Sequence, residues 1–307
     1  MSLANIALNQ ISIMFIIIPI GVICYKLKLI DKEANKTFSN ILLMLVNPLL
    51  IFVSYQRDFS SELLNGLLIS FVLAFVTHIF GIVVAHFLLK GNKDQDIPIE
   101  RFSVIYSNCG FIGIPLINGM FGSEGVFYIT AYITIFNILI WTHGIIMMIG
   151  RQDRRTMTRT LISPTMIAVF LGFIFFIAQI RIPNNLFQSF DYVASMNTPF
   201  AMIIAGVTIG QSNIRKLFGK TRIYLVTFIK LLLIPAVLLF LYSRFQVKES
   251  VLTTAILAAA CPTAATGTLF AIRYDKNALY ASEIFAVTTI FSLVTIPLIM
   301  LLAEYIR

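Results

Sequence analysis

Ser107-Asn108-Cys109-Gly110-Phe111-Ile112-Gly113-Ile114-Pro115 sets an amide, two glycines and a proline in the middle of an apolar segment. Proline lacks an N–H and collides with the carbonyl one turn earlier, and glycine lowers helix preference, so a helix carrying this run comes apart near its centre. Backbone polar groups are not left bare in hydrocarbon, so a break at that depth is covered by protein or lines a wet cavity. A second such run, Ala260-Cys261-Pro262-Thr263-Ala264-Ala265-Thr266-Gly267, follows 147 residues later by the proline numbers. Paired interrupted helices in corresponding halves of a chain point to a transporter's binding site.

The chemistry this implies is anion binding. With Pro115 and Pro262 near the start of the second halves, a favoured first-turn position, those halves begin near mid-membrane. Their free N–H groups and positive dipole ends then face the gap. Each end contributes about 0.3–1 kcal/mol when exposed and up to ~2 kcal/mol when partly buried, enough for selectivity and too little for tight retention. Side chains supply further contacts: Asn108 before the first break, Thr263 and Thr266 after the second, and Asn47 and Asn197 beside the prolines of the second and seventh helices. The competing reading is that these amides and hydroxyls only satisfy carbonyls freed by nearby prolines.

Lys230 is the one basic residue well inside a span. A charge at a helix centre costs about 2.5–3.5 kcal/mol on insertion scales, so something offsets it. Either it snorkels or pairs structurally, with Glu283 as candidate partner, or it serves substrate or coupling-ion chemistry. Of the three histidines, His86 and His143 fall near span ends, whereas His78 lies deeper and reads as a buried, hydrogen-bonded ring rather than a proton relay. Cys24, Cys109 and Cys261 show no CxxC or Cys/His metal spacing, so neither a disulfide framework nor a zinc site is expected. Cys109 and Cys261 either pack as small residues or border one cavity. No HExxH, GxSxG, Walker motif or paired aspartates appear, so neither an enzyme nor a cofactor is expected.

Apolar runs of spanning length carry these residues. The pattern predicts ten helices, approximately 6–25, 37–53, 63–89, 101–120, 125–149, 161–180, 190–210, 223–242, 250–272 and 278–303. In the seventh, Asp191, Asn197 and Pro199 interrupt the apolar character, so it begins late or bends. With the N-terminus outside, inside connections hold 17 Lys and Arg and outside ones hold 5, Arg57, Arg181, Arg244, Lys248 and Arg307. This positive-inside pattern places both termini outside and supports an even helix count.

The chain also repeats itself. Pro19 and Pro164, Asn47-Pro48 and Thr198-Pro199, Pro115 and Pro262, and Thr134–Asn137 and Thr289–Ser292 recur in order at offsets of 145 to 155 residues. Two five-helix copies must enter the membrane from opposite sides, giving an inverted repeat: residues 1–150, a cytoplasmic linker over 151–160, and residues 161–307. The fold class is therefore an all-α polytopic membrane protein of ten transmembrane helices, as two inverted five-helix repeats with broken crossing helices 4 and 9.

Composition agrees. The chain is 58% hydrophobic and 12% charged with a mean hydropathy of +0.90, outside the soluble range. The net charge of +9 is spread over short connections, which excludes a nucleic-acid stripe. The uncharged first ten residues lack a signal peptide's basic start, so the first apolar run reads as a retained helix. The expected location is the plasma membrane. The expected partners are a small organic anion, the bilayer and a second copy of the chain in a homodimer.

Asn108–Pro115, then Phe136-Asn137 with Trp141 and Gly144, resemble the auxin efflux carrier family. So do Pro19 and Gly21, Pro48 before Leu-Leu-Ile-Phe, Pro199 with Gly206 and Gly210, and Thr295-Ile296-Pro297. The resemblance spans nearly the whole chain. It implies a secondary carrier of mono- or dicarboxylates, auxin-like or malate- or malonate-like, with a fold akin to the sodium/bile-acid symporters. Helices 1, 2, 6 and 7 would form a scaffold and the others a mobile transport unit with crossing broken helices. It further implies substrate contacts from Asn108 and from the seventh helix, where Asn197 is the nearest match. The long cytoplasmic regulatory loop of plant exporters is missing here.

Overall fold

A computed structural model describes residues 3–91, 96–149, 163–211 and 220–306. The proposed linker over 151–160, the start of the sixth span, and Lys93, Arg215, Lys216 and Arg307 of the charge count lie outside the described residues.

Among the described residues the chain is all helical and holds no strand. Seven helices are long and apolar enough to cross a membrane. They are α1 (Leu3–Lys26, apolar over Asn5–Lys26), α2 (Lys32–Ser54), α3 (Ser61–Leu88), α5 (Cys109–Met148), α7 (Asn184–Gln211), α8 (Thr221–Tyr242) and α11 (Ala278–Ile306). Between them lie α4 (Ile97–Ile105), α6 (Pro164–Ile177), α9 (Glu249–Ala260) and α10 (Thr266–Arg273). The 40 residues of α5 are not one rod. Gly122 takes φ +58°, ψ −148°, a conformation open to glycine alone, and turns the helix there. The interrupted fourth helix of the sequence is thus α4 plus the part of α5 before Gly122, and the interrupted ninth is α9 plus α10.

Helix ends follow local chemistry. Asp31, Ser60 and Ser163 accept from the N–H three residues on, the usual N-cap bond that satisfies an orphan donor. Prolines shape the interiors. Single π turns at 42–46, 109–113 and 229–233 each run into a helix with proline at its start, Pro48, Pro115 and Pro235. A proline ring pushes away the carbonyl one turn back, and a locally widened turn accommodates it. The seventh span starts earlier than expected, at Asn184, and bends at Met196, where α-helical bonding is interrupted just before Asn197.

Packing is closest between α1 and α7. Gly21 and Gly206 face each other, and a Cβ on Gly21 would stand 3.0 Å from the Gly206 Cα. Small residues let two backbones approach in lipid, where dispersion contacts rather than hydrophobic exclusion hold helices together. Apolar side chains are exposed all around the bundle, Ile16 and Val294 at 70% among them, as expected of a surface that faces lipid.

Candidate functional site

Both interrupted helices open in the interior and their gaps touch. Between α4 and α5 only Tyr106, Ser107 and Asn108 leave the helix; between α9 and α10 the gap runs over residues 261–265. Ser107 and Thr263 pair as an antiparallel bridge. The Asn108 N–H donates to the Pro262 carbonyl at 2.7 Å, and the Ala264 N–H donates to the Tyr106 carbonyl at 2.8 Å. Each break thereby satisfies a backbone polar group exposed by the other, which offsets part of the cost of opening a helix in the interior.

Pro262 does not open the second half of its helix. It sits within the gap, where having no N–H costs nothing and its carbonyl is used, and the helix resumes at Thr266. Pro115 does not open its half either: the helix resumes at Cys109, capped by the Asn108 side chain, which accepts from the Phe111 N–H at 3.3 Å, and Pro115 follows seven residues after Asn108, beyond the first turn.

A cavity of about 330 Å³ lies against this crossing. Asn108, Ser107, Cys109 and Gly110 line it from the first break, Ala264, Ala265 and Thr266 from the second, and Asn47 from α2. Asn137 and Trp141 of α5, Ser163 and Thr165 at the start of α6, and Arg273 at the end of α10 complete the polar part of its wall. No carboxylate is among the described residues that line it. Arg273 also stacks over the Tyr274 ring at 5.5 Å.

Of the expected site residues, Asn108 and Asn47 line the cavity, as does Thr266; Asn197, Pro115, Pro262, Thr263 and Lys230 do not. Asn197 stands directly behind Asn47 and donates from Nδ2 to its Oδ1 at 2.6 Å. The two amides, 150 residues apart, bond each other rather than the carbonyls freed by their prolines. Thr263 is buried beneath the crossing, its N–H donating to Thr288 Oγ1 at 3.3 Å.

Lys230 neither snorkels nor meets Glu283. Its side chain is buried, and Nζ donates to Ser107 Oγ at 2.5 Å and to the Ala259 carbonyl at 3.3 Å. Glu283 instead accepts from Lys220 Nζ at 2.7 Å, nearer the end of the bundle. The ammonium therefore ties α8 to both broken helices, one residue from Asn108. Cys109 reaches the cavity wall, while Cys261 is wholly buried; each lies beside Gly113, with Cys261 Sγ 3.4 Å from where a Cβ would be. His78 is buried, with Nδ1 2.7 Å from the Ala74 carbonyl and its ring 4.8 Å from Tyr132.

Asn137, Trp141 and Arg273 were legible only in part. Asn137 and Trp141 belong to the residues that carry the family resemblance, and an amide inside an apolar span is a signal in itself. Arg273 counts in the sequence as a topology-setting loop charge, and only the fold brings it to the cavity.

Taken together, these features define a multi-pass helical membrane protein whose interior cavity is walled by two interrupted helices. The chain belongs to the auxin efflux carrier family: the family model described as "Membrane transport protein" matches residues 6–158 and 153–300. It is 24% identical over 292 residues to an uncharacterized transporter of Methanothermobacter thermautotrophicus, covering 92% of this chain and 94% of that one. A similar match is the uncharacterized transporter MJ1031 of Methanocaldococcus jannaschii, 24% identical over 303 residues, with 95% and 97% covered. The uncharacterized transporter YfdV of Escherichia coli is 28% identical over 136 residues, 44% of this chain and 42% of that one.

Proposed function

We propose that this protein is a secondary carrier for a small organic anion, a mono- or dicarboxylate, working by elevator-type alternating access. The observation that carries the reading is the cavity itself: two helix breaks, Asn108 and Arg273 meet in its wall with no carboxylate among its described lining residues. Asn108 donates to a cargo carboxylate, Arg273 supplies charge at the mouth, and the buried Lys230 ammonium lies behind Ser107 and makes the cavity wall electropositive. Asn197 orients Asn47, and Thr263, Pro115 and Pro262 shape the crossing rather than touch cargo.

Dividing α5 at Gly122, and joining each broken pair, yields ten passes in two inverted five-helix repeats, residues 1–150 and 161–307. The bond of Asn47 to Asn197, which adjoins the Thr198-Pro199 that matches Asn47-Pro48, supports that symmetry, and the two family matches meet in the linker, overlapping over 153–158. On this reading α1, α2, α6 and α7 are the scaffold, which the close α1–α7 approach supports, and the remaining helices move. Both termini face outside the plasma membrane, and the cavity opens inward, toward the end that carries Arg273.

An ammonium already fixed at the crossing supports transport without sodium, by uniport or with protons. Counterflow of labelled mono- and dicarboxylates in proteoliposomes, with and without sodium or a pH gradient, tests this. Saturable counterflow independent of sodium is expected. Binding without flux would replace the carrier with a sensor, and strict sodium dependence would replace uniport with a coupled symporter.

A further inference from the structure

We propose that a second cavity, on the outer face of α3, α4 and α5, is a binding site for the phosphate headgroup of an anionic phospholipid. This cavity, of about 190 Å³, is lined by the basic residues His86, Arg101 and His143 together with Ile82, Ile105, Ile146 and Met147. The basic groups sit near the ends of their helices: His86 in the last turn of α3 and Arg101 in the second turn of α4. That is the level at which a membrane presents its phosphates, and basic pockets between helices there take anionic headgroups.

Among the described residues, the bonds of Arg101 go to backbone carbonyls. Its guanidinium donates to the Leu89 carbonyl from Nε at 3.2 Å and from Nη2 at 3.0 Å, and to the His86 carbonyl at 3.5 Å. Those are neutral acceptors at the end of α3. They hold the fork in place without neutralising it, and among the described residues no carboxylate pairs with it. The neighbouring Glu100 is already committed to Arg222, at 2.5 Å, and to the Tyr280 hydroxyl, at 2.8 Å. A guanidinium so fixed suits a phosphate, whose oxygens match its planar donors.

The surroundings separate a lipid from a soluble phosphate. Ile146 of the lining, and Val83 and Phe87 next in sequence to the lining residues Ile82 and His86, are 43%, 45% and 64% exposed, as are other apolar side chains on the bundle surface. A phosphate at Arg101 therefore has apolar wall beneath it for the start of an acyl chain. The site also adjoins the transport machinery. His143 Nδ1 stands 2.9 Å from the Tyr106 hydroxyl, and the Tyr106 carbonyl is one of the acceptors that join the two breaks. An occupied headgroup site thus braces α5 against the crossing.

The test is lipid binding by the full chain in neutral detergent. Native mass spectrometry counts bound lipid, and thermal unfolding reports stabilisation, with phosphatidylglycerol, phosphatidylcholine or sodium phosphate added. Phosphatidylglycerol is expected to bind and raise Tm, and neither phosphatidylcholine nor inorganic phosphate to do so. Arg101→Gln should weaken phosphatidylglycerol binding about fivefold, the effect of one interfacial charge. His86→Glu, at an exposed position that does not threaten folding, should weaken it at least as much, and Arg101→Lys should keep most of it. Equal binding of phosphatidylcholine, stabilisation by inorganic phosphate alone, or unchanged affinity in His86→Glu would each overturn the assignment.

Discussion

The two breaks that cross in this protein look alike in sequence and are used differently. Between α4 and α5 the gap is short, and its side chains are engaged: Ser107 Oγ accepts the Lys230 ammonium and Asn108 caps the next helix while lining the cavity. Between α9 and α10 the gap is longer and works mainly through its backbone. The Pro262 carbonyl and the Ala264 N–H hold the crossing, and Thr263 Oγ1 has no partner among the described residues. One break engages its side chains, the other chiefly its backbone. If the two halves are the inverted repeat proposed above, two copies of one motif would reach a single site from opposite sides and need not contribute equally.

Substitutions at the bridged pair test that contrast most severely. Ser107→Val removes the shortest acceptor of the buried Lys230 Nζ and leaves it the Ala259 carbonyl, and about 1.5–3 kcal/mol of stability should be lost, read as a drop of Tm in detergent. Thr263→Val, directly opposite, removes a hydroxyl with no described partner and should change Tm little; equal losses at both positions would erase the distinction. Next in size, Asn108→Ala should lower counterflow about tenfold to a hundredfold with the fold intact, the value of a hydrogen bond to a charged cargo. Undiminished flux would remove Asn108 from the site. Pro262→Ala keeps the carbonyl that Asn108 uses, so less than about 1 kcal/mol should be lost, well below the cost of disturbing Ser107.

The smallest effect is expected at the opposite end of the bundle, where Lys248 reaches Glu62 at 3.0 Å and Glu124 at 3.1 Å. The bond to Glu62, with burial opposing it and Glu124 assisting, raises the Lys248 amine above its ordinary value. A raised folded-state value means that this contribution is fully present below the ordinary lysine pKa and is lost only as pH rises through the raised one. Tm of Lys248→Met should therefore differ slightly from the parent at neutral pH, and the difference should vanish above the lysine range. Exposure and salt screening keep the pair weak. By contrast the Glu100–Arg222 pair has a buried carboxylate and should resist added salt.

Local chemistry made the breaks readable. A proline with glycines in an apolar run leaves few conformations, so both gaps were expected near their observed places, though the ninth helix resumes later than its proline implies. The boundary expected between residues 120 and 125 falls where Gly122 turns α5, since a glycine-bearing stretch there interrupts two apolar runs of spanning length. The partners of polar residues were least readable. Asn47 and Asn197 each stood next to a proline, and only the approach of α2 to α7 showed that they bond one another. Lys230 had an acid nearby in the membrane-depth ordering, Glu283, yet the fold gave that acid to Lys220.

The sequence by itself determined that this chain lives in a bilayer, where its helices are interrupted, and which family it belongs to. These depend on apolar length and on the backbone limits of proline and glycine, both local properties. Only the tertiary structure decided that Ser107 rather than a carboxylate receives Lys230, that Arg273 reaches the cavity, and that the two gaps mend each other's hydrogen bonds. Such pairings join residues more than a hundred positions apart, and in hydrocarbon each buried polar group takes whichever partner the packing of helices brings within reach.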